Sequence, residues 1–507
     1  MDYLLPLFVG IPLLATALCV LTPQWWRNVL ALTLPAAGII AGIWLFSYTS
    51  THGTIAHSVG LYEGGIAIPF AGDQLSALMI IAASIVALAS NWFAIMVGEM
   101  HSPYYAALSL MLLTGVMGAL LTADLFNFFV FIEVMLLPSY GLMAMTGTWA
   151  RLSAGRTFVL VNLATSTVLL AGVTIVYGVV GSVNIAALQG AAAGNGPATV
   201  AMGVVMIALA VKAGIFPVHT WLPRTYPQTS ASVMSLFSGL HTKVAVYMIF
   251  RLYVVVFDLD ARWSTLIIIL CVLAMLVGAY AGLAENSMRR VLSYQMVNGM
   301  PFILVMLAFA SGNAQAALAA GILYTLHHMV TMAALILTSG AVEETYGTDL
   351  LSKISGIAHR DPWVATIFAA GAFSIVGFPP FSGLWGKVAL MLSAARDGSW
   401  QGWLVIATMV VASFGAFLSM LRLWRKAYWG NPMNPQRIPE NLHVPARRIL
   451  PGAAMMMLSL SMFLGAGFVV GLTQDAAASL LDVTSYTQAV LGDDPLGLAV
   501  HAEGGNA

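Results

Sequence analysis

The chain has 507 residues, of which 60% are apolar and only 8% charged, and its mean hydropathy is +0.89. A water-soluble globule of this size would lack the polar side chains to cover its surface, so the composition excludes a soluble enzyme and points to a polytopic membrane protein. Lys plus Arg and Asp plus Glu balance at 20 each, which leaves no basic excess for a nucleic-acid partner.

With about 20 apolar residues per crossing, the sequence predicts an all-α protein with helices near 3–22, 29–48, 74–98, 104–122, 124–146, 157–180, 199–222, 229–257, 264–284, 291–310, 315–339, 362–395, 402–424 and 449–473. The first, Leu4 to Leu21, has no basic flank and no small-residue cleavage pattern, and reads as a retained span. Cys19 and Cys271 fall in apolar runs without metal or redox spacing and read as buried small residues. The longer connections are Tyr48 to Asp73, with His52, His57 and Glu63, and Tyr428 to Arg448, rich in proline and arginine. No soluble domain fits between the crossings.

Basic residues choose a side for these connections. Arg27, Arg151, Arg156, Arg224, Arg289, Arg290, Lys353, Arg360, Arg425, Lys426, Arg437, Arg447 and Arg448 all fall in odd-numbered connections, against only Arg262 and Arg396 in even ones. The positive-inside rule then puts the odd connections in the cytoplasm and both termini outside. The segment after Gly471, with Asp475, Asp482, Asp493, Asp494 and Glu503 and no basic residue, fits an outer tail.

Two crossings carry similar interruptions. The seventh reads Lys212-Ala-Gly214-Ile-Phe-Pro217, and the twelfth reads Gly377-Phe-Pro379-Pro380-Phe-Ser-Gly-Leu-Trp-Gly-Lys387. Broken helices at corresponding places in two five-helix units mark inverted-repeat transporters. The expected organisation is a first repeat over 104–257, an inverted second over 264–428, flanking helices at 1–98 and 449–473, and an acidic outer tail over 474–507.

Charged groups at mid-membrane cost about 2.5–3.5 kcal/mol on insertion scales and mark interior, functional positions. Lys212, Lys243 and Lys387 are three of the five lysines in the chain, and all lie in apolar segments. Glu133, nine residues after Asp124, sits near mid-membrane and could form a switchable pair with Lys212 or with a basic residue of another subunit. His241 and Lys243 stand two positions apart, roughly 200° around a helix, so they cannot point down one line. His327 and His328 are adjacent, one expected inside and the other structural. Imidazole suits a relay because it titrates near neutrality and has two nitrogens. His219 is a further candidate. Asp73, Glu99, Glu285 and Asp361 fall at span ends, where solvated caps are expected, and Arg251 should pair with Asp258 or snorkel. No phosphate loop, Ser/His/Asp set or metal-ligand spacing is present, so no cofactor, metal or hydrolytic chemistry is expected.

The runs DLFNFFVFIEVMLLPSYGLM, KAGIFPVHTWLP and GFPPFSGLWGK resemble the antiporter-like membrane subunits shared by respiratory complex I and the multisubunit Mrp cation/proton antiporters, over roughly residues 70 to 425. The resemblance implies fourteen helices with inverted repeats and a line of polar residues across the membrane plane. Matched by motif, Glu133, Lys212, Lys243 and Lys387 take the family's glutamate and lysine positions. Members often carry a lysine four residues after a histidine of the eleventh helix; counted from His328, that position is Met332. The resemblance also implies other membrane subunits as partners and exchange of outward Na⁺, or another monovalent cation, for inward H⁺. A complex I or hydrogenase subunit coupled to electron transfer, and a purely structural subunit, are the rival readings.

Overall fold

Long apolar runs become helices here because, away from water, a helix satisfies every backbone polar group within its own segment. The computed structural model describes residues 2–60, 67–145, 147–431, 433, 439 and 441–492; Glu63, Arg437, Asp493, Asp494 and Glu503 lie outside the described residues. In chain order, α1 (Leu7–Leu21) and α2 (Gln24–His52) precede an antiparallel hairpin of β1 (Ile55–Val59) and β2 (Ile68–Gly72), with Ile55 opposite Gly72. Then come α3 (Gln74–Val97), α4 (Tyr105–Leu121), α5 (Leu125–Ala144), α6 (Trp149–Val180) and the one-turn α7 (Ala191–Gly194). The first break separates α8 (Gly196–Ala213) from α9 (Trp221–Thr225), and α10 (Ala231–Val255) follows. The second half runs through α11 (Ser264–Ala281), α12 (Met288–Leu304), α13 (Ala314–Tyr346) and the short α14 (Ile357–Arg360). Its break separates α15 (Pro362–Val376) from α16 (Gly383–Arg396), before α17 (Trp400–Leu423), α18 (Ala446–Leu464), α19 (Ala466–Leu481) and α20 (Val483–Leu491).

Among the described residues, eleven helices are long and apolar enough to cross a membrane unaided, α4 and α15 are shorter apolar helices, and α18 turns through 87° into α19. Each predicted crossing coincides with one of these helices or helix pairs. Two expectations need correcting in detail. The last crossing, expected over 449–473, bends at Gly465, and α19 and α20 continue as helix into the segment expected as the outer tail. The connection from Tyr48 to Asp73 contains the β1–β2 hairpin. Both ends of the described chain meet that hairpin: His57 Nδ1 lies 3.2 Å from Asp2 Oδ2, and Thr54 N donates to Ser485 Oγ at 3.4 Å. These ends therefore share one face, the termini face, while Arg289, Arg290, Arg422 and Arg448 gather at the other with Glu343 and Glu285.

The centre is built on α10 and α13. Every residue of α10 is buried, including Ser235, His241, Lys243 and Arg251. A helix enclosed by protein on all sides can carry polar groups that a lipid-facing helix cannot. Peripheral helices show the opposite pattern, with Leu14, Ile40 and Val200 about two-thirds exposed (67%, 70% and 70%) as a surface for acyl chains. Cys19 and Cys271 are buried, as expected.

The span-end acids depart from the expectation of solvated caps. Asp73 does cap α3, accepting from Ser76 N at 2.8 Å, but it is 1% exposed and pairs with Arg251 at 2.5 Å. Arg251 thus neither pairs with Asp258 nor snorkels, because α3 begins where α10 ends and a buried guanidinium needs a buried carboxylate. Asp361 is also buried, accepting from Val444 N at 3.1 Å and from the Tyr346 hydroxyl. Glu99 is held by Ser230 and Ser232 at the start of α10. Glu285 stays at the rim, 3.6 Å from Arg290.

Candidate functional site

At the first break α8 ends in Gly214, whose φ of +76° is left-handed; at the second, α15 ends in Gly377 at φ +101°. Both positions favour glycine because a Cβ is strained there. Stopping a helix frees carbonyl groups, and the two breaks satisfy them differently. The Trp221 indole donates to Val211 O at 3.1 Å, whereas Lys387 Nζ donates to Val376 O at 2.8 Å. Lys212 lies in the last turn before its break and Lys387 in the helix after its own, so the two lysines hold different positions relative to their breaks.

Glu133 shares a stripe of α5 with Phe126, Val130 and Leu137, which are 47%, 37% and 58% exposed, so it faces the edge of the molecule. Its Oε1 is buried without a hydrogen-bond partner among the described residues. Lys212 does not bond it, and instead donates to Ser166 Oγ on α6 at 3.2 Å. His241 meets Ser139 Oγ of α5 at 2.8 Å. Since the single Ser139 hydroxyl proton goes to Met135 O at 2.6 Å, His241 Nε2–H is the donor to that oxygen. Stacking on Phe237 with ring centroids 4.6 Å apart fixes the imidazole plane.

On the opposite side of α10, Lys243 Nζ lies 3.0 Å from His328 Nδ1 of α13 and 3.2 Å from Thr242 Oγ1. This contact joins the two halves of the chain. Gly299 makes room for it: a Cβ there would stand 2.0 Å from His328 Cδ2. The far nitrogen of His328 faces Gln295 O at 3.5 Å.

His327 turns the other way and opens a closed ring of hydroxyls. Its Nδ1 meets Ser382 Oγ at 2.8 Å and Thr331 Oγ1 at 3.2 Å. Ser382 and Ser374 both reach Ser459 Oγ of α18, at 2.8 and 3.1 Å, and Ser374 closes on Thr331 at 3.1 Å. The four hydroxyls between the two contacts of His327 Nδ1 can be ordered in either sense, while that nitrogen either donates or accepts, and the members polarise one another. Lys387 lies beyond it, donating also to Ser413 Oγ at 2.7 Å, with its ammonium 5.1 Å over the Phe302 ring. His219 is buried, stacked on Phe216, with Nδ1 unpartnered, and makes no bond to these groups among the described residues.

Among the described residues the geometry joins two of the sequence candidates directly, Lys243 and His328; Lys212, His241, His327 and Lys387 each bond hydroxyls or carbonyls of their own, and Glu133 and His219 lie outside hydrogen-bond contact. Both histidines of α13 have polar partners. The hydroxyls were missed: a serine in an apolar run carries no periodic signal, although Ser374 and Ser382 do flank the second break. Met332 is fully buried, and the space from His327 towards the break is spanned by the hydroxyl ring. Among the described residues no group of three His, Cys, Asp or Glu could hold a metal ion.

Residues 122–414 match the family described as NADH:quinone oxidoreductase/Mrp antiporter, TM. The chain is 31% identical over 459 residues to the D subunit of the Na(+)/H(+) antiporter of Alkalihalophilus pseudofirmus, spanning 89% of this chain and 92% of that protein. It is 30% identical over 492 residues to the Bacillus subtilis protein of the same name, spanning 95% and 98%. A chain of the Mrp complex from Dietzia sp. DQ12-45-1b matches with a TM-score of 0.93 and 37% identity, over 97% of this chain and 99% of that one. A chain of respiratory complex I from Thermus thermophilus shares the fold, with a TM-score of 0.78 and 22% identity over 95% and 100%.

Proposed function

This chain belongs to the NADH:quinone oxidoreductase/Mrp antiporter family of membrane subunits, and from that membership we propose that it is the D-type subunit of a multisubunit Na⁺/H⁺ antiporter that moves protons laterally through its core. It is a transporter subunit, not an enzyme. The names of its relatives and the near-full-length match to a chain of an Mrp complex support this reading over a redox-coupled one, since the likeness to complex I is one of fold.

The proton route runs from Glu133 through Lys212, His241, Lys243, His328, His327 and the hydroxyl ring to Lys387. The observation that carries it is the 3.0 Å contact between Lys243 and His328, where an amine and an imidazole can share one proton across the junction of the two halves. The opposed faces of His241 and Lys243 fit a route that crosses α10 sideways: a lateral path needs one group on each side of the helix. A purely structural set of charges would be matched as ion pairs, as Asp73 and Arg251 are. Lys212, Lys243 and Lys387 instead hold hydroxyls, an imidazole and a carbonyl. Glu133 on the exposed stripe of α5 is where a neighbouring membrane subunit completes the path.

Cation-dependent proton exchange in everted membrane vesicles, normalised to assembled complex, tests the route. His328→Gln keeps a hydrogen-bonding side chain that cannot titrate, and exchange should fall on the order of 10²-fold, the usual worth of a positioned proton carrier. Wild-type exchange per complex would remove His328 from the route. By the positive-inside rule the termini face lies outside the cell. A cysteine replacing Gly492 should then react with an impermeant thiol reagent on intact cells and one replacing Lys353 should not; the reverse labelling overturns that orientation.

A further inference from the structure

The relay runs sideways, but α3 and α10 also form an antiparallel pair from one face of the molecule to the other, joined by polar contacts near each end. Glu99, just past the end of α3, accepts from Ser230 Oγ at 3.0 Å and from the Ser232 hydroxyl at the start of α10. Ser90 donates to Ser235 at 2.9 Å. At Gly239 the helices are so close that a Cβ would stand 2.6 Å from Val86 Cγ1. Towards the other face Ser76 meets Tyr247 at 2.9 Å, and Asp73 pairs with Arg251. Ser232, Ser235, Gly239, Lys243 and Tyr247 follow the three- and four-residue spacing of one helix stripe, so Lys243 of the relay stands on this seam. From Ser232 to Lys243 the rise is about 16 Å, and beside Gly239 the buried hydroxyl of Ser238 has no partner among the described residues.

The two ends of the seam differ in kind. On the termini face Asp73 is bound to a guanidinium, which keeps its proton, and Tyr486 of α20 covers the pair with its ring 4.9 Å from Arg251 Cζ. On the arginine-rich face Glu99 is held by the hydroxyls of Ser230 and Ser232, which can serve a charged or a neutral carboxyl. On the same face a polar cavity of about 570 Å³ opens between the two halves of the chain, lined by Arg151, Gln228, Arg289 and Glu343. Gln228 leads directly to Thr229 and Ser230.

We propose that Glu99 is the proton port of this subunit on the arginine-rich face, and that the α3–α10 seam connects it to Lys243. The inference rests on the lateral-relay reading and gives it an outlet. Burial pushes the Glu99 carboxyl up to about 7, against the pull of the Ser232 and Ser230 hydroxyls; Glu344 raises it further and Arg151 lowers it, and the buried Tyr105 also faces it. A carrier that titrates near neutrality gains and loses a proton with equal ease there.

The test is cation-dependent exchange per assembled complex in everted vesicles, with the pH on the arginine-rich face varied through about 7. Glu99→Gln should lower exchange about 10-fold or more and remove the inflection near neutrality, while Glu99→Asp should restore both in part. If Glu99→Gln exchanges at the wild-type rate while Lys387→Ala on parallel membranes is inactive, the port is wrong and the relay stands. If both exchange normally, the relay fails as well. Should Glu99→Gln not assemble, the double variant Ser90→Ala, Ser235→Ala removes the hydroxyls midway and leaves Glu99 in place; wild-type exchange in it overturns the seam. An inflection that follows the pH of the termini face instead also overturns it.

Discussion

Lys212 and Lys387 are each 5% exposed beside a helix break, yet they are held in opposite ways. Among the described residues Lys212 makes one hydrogen bond, 3.2 Å to Ser166, near an edge where Glu133 has an unpartnered oxygen. Lys387 makes two shorter bonds, to Val376 O and Ser413, and rests over Phe302. One lysine is tethered loosely enough to exchange partners; the other is built into the backbone of its break. The first lysine is thus left free to answer a group at the edge of the molecule, while the second is held in one place by its own half.

The sharpest way to break that contrast is at Lys387. Lys387→Gln keeps a donor for Val376 O, so the break should hold and the complex assemble, while exchange in vesicles is lost on the order of 10²-fold; Lys387→Ala should lose exchange as fully and also leave that carbonyl unpaired. Exchange retained in Lys387→Gln would make the lysine a structural plug. A smaller effect is expected at the loose end. Glu133→Gln removes the charge opposite Lys212 and should lower exchange at neutral pH by about 10-fold, with Glu133→Asp intermediate. If activity per assembled complex is unchanged in Glu133→Gln, the edge position has no part in transport.

The hydroxyl ring should matter less. Ser459→Ala removes one hydroxyl with its contacts to Ser382 and Ser374; at about 1 kcal/mol net for a hydrogen bond, a loss of a few-fold or somewhat more is expected, larger if no water replaces the hydroxyl. A loss as great as that of Lys387→Gln would make the ring an obligatory wire. The smallest effect concerns stability. The Glu99 carboxyl is raised from its ordinary 4.5 to about 7 in the folded protein, so its contribution to stability is complete below about 4.5 and is lost as pH rises through about 7. The thermal inactivation midpoint of the complex should fall over that interval, and Glu99→Gln should flatten the fall.

Much of this was legible in the chain. Hydropathy placed the crossings, and Gly214 with Pro217 and Gly377 with Pro379 and Pro380 marked both breaks, because glycine and proline disrupt a helix wherever it packs. Lysines in apolar runs stood out as candidates for the same reason: their cost in lipid does not depend on the fold. The hydroxyls at 139, 166, 374, 382 and 459 were invisible because serine in a membrane helix usually bonds its own backbone, and only a neighbouring helix gives it another role.

What the sequence alone determined, then, is which segments leave water, where they break, and which face of each helix is polar, since these follow from residue type and the helical period. The tertiary structure decided the partners. Arg251 had a nearby acid in Asp258 and took Asp73 instead, and Lys243 found His328 85 residues away. Periodicity says which side of a helix a group occupies, but which helix faces that side is settled only when close packing brings distant segments together.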